Sequence, residues 1–183
     1  LLNIFVGLIF VFFKTNFSFW DIGPTFYITN IIGYVLIFFG LNELERTNQP
    51  ILKAKPYVII MIAHSMIFFL LNITDHSPLT MGMSTTLEQI IVLAGVALIM
   101  AGMFMVFIII FQLMDGLTSN MNKEVLYNLV TIMILLFILA GIDAFFNFVP
   151  TLSTIIMGAL LLLEVLFLFC YYNAFVIKNE KLI

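Results

Sequence analysis

Long apolar runs, parted only by short polar connections, leave this chain few ways to fold. A bilayer core of about 30 Å asks for roughly 20 apolar residues at 1.5 Å rise each, and runs of that kind recur here from end to end. The expected helices cover about residues 1–13, 26–44, 56–72, 86–114, 124–148 and 152–177. The fold class that follows is all-α, an integral membrane bundle of six transmembrane helices. With no linker and no convincing internal repeat, residues 1–183 read as a single transmembrane domain. Charged residues make up only 9% of the chain. A water-facing surface is built with roughly 25%. The abundant Phe (21) and Met (11) suit lipid contact and adaptable packing instead.

Two runs depart from the standard length. Leu1 to Phe13 would reach only about 20 Å, so residues ahead of Leu1 or a locally thin bilayer must make up the difference. No A-x-A-like site precedes Lys14, which argues for a retained helix over a cleaved signal. The fourth run, at about 45 Å, must tilt or project. Pro24 and Pro56 suit helix starts, and Thr85 or Thr86 suits a cap on the fourth helix. Phe19 and Trp20 in the first connection suit the membrane interface. Asn42 to Lys55 reads as a charged loop broken at Gln49-Pro50.

Basic residues set the expected orientation. With six crossings one side receives Arg46, Lys53, Lys55, Lys123, Lys178 and Lys181, and the other only Lys14. Both termini are therefore expected in the cytoplasm, N-in and C-in. The formal net charge of −3 offers no basic face to nucleic acid. Cys170, alone in the sequence, has no partner for an internal disulfide.

The pieces Asp21-Ile22-Gly23-Pro24, Ile32-Gly33-Tyr34-Val35-Leu36-Ile37, Gly40-Leu41 and Lys53-Ala54-Lys55-Pro56 follow one another across the first third of the chain. Together they resemble a poorly characterised family of small polytopic membrane proteins from Gram-positive bacteria. Thr25 stands where that pattern has an acidic residue, and Tyr27-Ile28-Thr29-Asn30 lengthens the approach to Gly33. The resemblance implies a fold and an orientation. It implies no activity.

Ionisable groups inside apolar helices are costly unless paired, which makes them the best pointers to function. His64 and Glu164 fall near the middle of the third and sixth helices, at matched depth, and a hydrogen bond between them is natural if the helices are neighbours. Glu88 and Asp143 fall near the outer face, as do Asp21, Asp75 and His76. On the functional reading these acids draw in a cation, proton or amine, and His64 with Glu164 forms a mid-membrane station. On the bland reading the pair joins helices, at roughly 0.6 to 2 kcal/mol per polar contact, and Glu88 and Asp143 reach interfacial water.

No metal-ligand spacing and no cofactor motif appears, so no metal or cofactor is expected. Ser65 adjoins His64 but adjacent helical residues face apart, which argues against a Ser–His hydrolase. Ala94, Ala97 and Ala101, with Gly95 and Gly102 beside them, form a small-residue stripe for close helix packing, within the bundle or against a partner membrane protein. Gly33 and Gly40 permit the same in the second helix, and Asn30, Asn72, Asn128, Asn147 and Asn173 read as end or interface groups. Three functions stay open. One is transport-related, as a carrier or the membrane subunit of a transporter. The second is a non-catalytic membrane partner or regulatory subunit. The third, a lipid-acting enzyme, has no catalytic constellation behind it.

Overall fold

The computed structural model describes residues 1–13, 19, 22–45, 49–116, 123–146, 148–149 and 151–176. Six α-helices account for most of them: α1 Leu2–Phe12, α2 Pro24–Leu44, α3 Lys55–Ile73, α4 Thr86–Gly116, α5 Lys123–Phe146 and α6 Leu152–Tyr171. A 3₁₀ helix, Gln49–Ala54, leads into α3, and α6 continues as a π-helical turn, Tyr172–Val176. No strand occurs among the described residues. Five of the helices are long and apolar enough to cross a membrane, and α1 is a shorter apolar helix.

Each helix packs beside its neighbours in sequence, and α6 returns to α1, so the bundle closes into a ring. The outward faces carry bulky apolar side chains such as Leu87, Leu93, Leu162 and Phe169. A helix apolar all round belongs where both its faces avoid water, one against protein and one against lipid. The seam between α1 and α2 is the closest in the ring. A β-carbon on Gly33 would stand 2.7 Å from the Gly7 carbonyl oxygen, and one on Gly40 would stand 2.9 Å from the Ile4 nitrogen. The two glycines read from the sequence as close-approach points are where α1 lies on α2.

Helix ends follow local chemistry. Pro24 opens α2 with its φ already set for a helix. Thr85 and Glu88 form a reciprocal capping box at α4: the Glu88 N–H donates to Thr85 Oγ1 at 3.2 Å and the Thr85 N–H donates to Glu88 Oε2 at 2.9 Å.

Two expectations need correction. The connection after α2 is not simply a charged loop, because Ile51 and Ala54 of the 3₁₀ helix are wholly buried and the element packs against α4. Residues three apart eclipse in a 3₁₀ helix, so this pair shares one apolar face. Phe19 is not an interfacial ring. It is buried, 5.4 Å from the Phe137 ring and in the space left by Gly141. Lys53 and Lys55 stand where the 3₁₀ helix passes into α3, and Lys123 at the start of α5. Lys14, Trp20, Asp21, Arg46, Asn147, Lys178 and Lys181 lie outside the described residues.

Candidate functional site: a polar cavity at mid-span

All six helices contribute to one central cavity of about 50 Å³. It reaches from Val11 and Phe12 in the last turn of α1 and Phe26 and Tyr27 in the first turn of α2 to about halfway along the other helices, at His64 of α3, Gly102 of α4, Phe137 of α5 and Glu164 of α6. That volume is room for a few water molecules.

On α2, Tyr27, Asn30 and Tyr34 are spaced i, i+3, i+7 and therefore share one helical face, which is the face turned to the cavity. Tyr27 is 1% exposed, Asn30 5% and Tyr34 0%. Among the described residues neither tyrosine hydroxyl has a hydrogen-bond partner. A buried polar group without a partner costs roughly 1–3 kcal/mol. Two on one face of one helix mark a place where ordered water or a ligand belongs.

His64 approaches from α3. Gly102 gives it a seat, since a β-carbon there would stand 2.6 Å from Nε2. Nε2 lies 3.0 Å from the Leu98 carbonyl oxygen, and its ring packs on Phe68 at 4.6 Å between centroids. A carbonyl only accepts, so Nε2 carries a proton. Nδ1 is buried with no partner among the described residues. Glu164, 4% exposed, lines the same cavity from α6. Both ionisable groups line one cavity, and the bonded partner of the His64 ring is the Leu98 carbonyl.

The other two candidates serve helix ends. Glu88 completes the α4 capping box and also accepts from Ser84 Oγ at 2.5 Å. Asp143, buried on α5, accepts the Val149 N–H at 3.2 Å and the Ser153 N–H at 2.8 Å, which caps the start of α6. Neither lines the cavity. Asp75 and His76 lie in the exposed α3–α4 connection. Asp75 has a left-handed φ of 58° just past the helix, and His76 Nδ1 donates to the Thr74 carbonyl at 2.5 Å. Among the described residues no three His, Cys, Asp or Glu side chains gather as a metal site would require.

The small-residue stripe divides. Gly95 receives the Pro78 ring and Gly102 receives His64, whereas Ala94, Ala97 and Ala101 are exposed on the outside of the bundle. Tyr27, Asn30 and Tyr34 were missed as site residues by a search for charge. Their signal was there: three hydrogen-bonding side chains on one face of an apolar run. Comparison with family models, with curated proteins and with solved structures gives no significant match.

Proposed function

We propose that this is a transport-related, multi-pass protein of the cell membrane that holds a small molecule at the centre of its bundle, as a carrier or as the binding subunit of a larger transporter. The family resemblance, and with it an arrangement with both termini in the cytoplasm, belongs to the same proposal. One observation carries the reading. Tyr27, Tyr34 and His64, from two helices, line a cavity to which all six helices contribute, and each holds a buried polar atom with no partner among the described residues. In lipid no water is at hand to satisfy such groups from outside the bundle.

The test is native mass spectrometry of protein released gently from its own membranes, followed by flux of whatever is bound, measured in proteoliposomes. A small-molecule adduct on the wild type that is lost in Tyr34→Phe with His64→Phe, and that crosses vesicles only when the protein is present, supports the reading. A bare mass for both proteins opposes it.

The exposed Ala94, Ala97 and Ala101 face favours a second reading, a subunit that docks another membrane protein through a close helix contact. A polypeptide that co-purifies with the wild type and is released by Ala97→Leu would support it.

A further inference from the structure

The central cavity shares a wall with a second space. Between α4 and α5, a crevice of about 210 Å³ opens on the outside of the bundle, lined by apolar side chains that include Met100, Phe104, Ile138, Ile142 and Phe145. Ile138, Ile142 and Phe145 are exposed there, where a bilayer's acyl chains would lie. Among the described residues, Phe137 lines both spaces and is the one common to them. Its ring stands between Phe104 at 5.0 Å, Phe107 at 5.8 Å and Phe19 at 5.4 Å. One turn further along α5, Gly141 leaves the space that the edge of the Phe19 ring takes up in that wall.

We propose that the central site is reached sideways from the bilayer between α4 and α5, past Phe137, and takes an amphiphile with a small hydrogen-bonding head and an apolar chain. This rests on the reading of the central cavity as a ligand site. Size decides the class of ligand. A cavity of about 150 Å³ holds a benzene ring, so the central space of about 50 Å³ suits a head the size of a hydroxyl or amine. The chain must stay outside, and the adjoining crevice is apolar and four times larger (210 against 50 Å³). The head is not an anion. No Lys or Arg lines either space among the described residues, so a phosphate or carboxylate would find no counter-charge. Tyr27, Tyr34 and His64 line the central space, and their hydroxyls and ring nitrogen are groups that a hydroxyl or amine head can bond.

The test uses photolabelling of the full chain in phosphatidylcholine vesicles. One probe is a sixteen-carbon alcohol with a diazirine beside its hydroxyl, and the other is its water-soluble four-carbon analogue. Labelled residues are then mapped by mass spectrometry. The long-chain probe is expected to label Tyr34 and Met61. Phe137→Trp should cut that labelling by about tenfold or more, since overfilling a packed site costs about 1–3 kcal/mol. Phe137→Ala should raise it. Ile142→Trp narrows the crevice from its outer side and should also cut it, which keeps the test alive if Phe137→Trp does not fold. Long-chain labelling of Tyr34 and Met61 that neither tryptophan changes would overturn the lateral route. Labelling there by the short probe alone would overturn the route and the amphiphile while sparing the central site. Labelling of neither residue by either probe would overturn the site itself.

Discussion

The α1–α2 seam and the α4–α5 seam are built on opposite plans. In the first, Gly7, Gly33 and Gly40 bring backbone against backbone, and Ile4 and Ile37 beside them are completely buried. In the second, aromatic and β-branched side chains hold the helices apart and leave a crevice open on the outside. Lipid tails are as apolar as leucine, so helices in a bilayer are not driven together by water. They associate through packing and hydrogen bonds. A seam of glycines thus has one tight arrangement, while a seam of rings has several of similar energy. The difference separates a fixed wall of the ring from one that is able to part.

Substitutions at matched positions should expose that difference. The largest effect is expected for Gly33→Ala, whose new methyl would meet the Gly7 carbonyl oxygen at 2.7 Å and the Val11 nitrogen at 3.0 Å. Backbone atoms cannot rotate away, so a loss of about 3 kcal/mol is expected, read as a lowered thermal midpoint in detergent. Next is Asp143→Ala, which takes the cap from α6 and leaves two N–H groups unserved, for a loss of about 2 kcal/mol. It tests whether α5 is anchored to α6 and not to α4. Gly141→Ala should cost less than about 1 kcal/mol, because its methyl would meet the edge of the Phe19 ring at 3.2 Å and that ring can shift. A Gly141→Ala loss as large as that of Gly33→Ala would erase the contrast between the seams. Smallest is Ile138→Ala on the crevice lip, expected to stay within about 0.5 kcal/mol in the same melt.

The same contrast explains what could be read from the sequence. The helices were legible because hydropathy and length act locally, and Pro24, Gly33 and Gly40 announced a helix start and a close approach by residue type alone. His64 and Glu164 were legible as a mid-span pair because depth follows from counting along each run. The partner of the ring was not, since the carbonyl that holds His64 belongs to Leu98, thirty-four residues away. Glu88 and Asp143 stood out as ionisable groups, but their roles turned on turn geometry. The Glu88 box spans residues 85 to 88 and was readable as Thr-x-x-Glu. The Asp143 cap crosses a helix junction and was not. Phe19 looked interfacial because it follows Lys14 and adjoins Trp20, whereas burial beside Gly141 depends on a contact 122 positions along the chain (141 − 19). Closure of the ring, α6 against α1, is equally non-local.

The central claim is that the cavity beneath Tyr27, Tyr34 and His64 is a place for a bound molecule. Tyr34→Phe tests it most directly, by thermal melting of protein in two states: released gently from its native membrane, and then stripped by prolonged detergent exchange. If a molecule occupies the site, the substitution lowers the midpoint of the first sample and leaves unchanged or raises that of the second, where it removes an unserved hydroxyl. A midpoint raised equally in both would mean that the hydroxyl serves nothing, and would contradict the account.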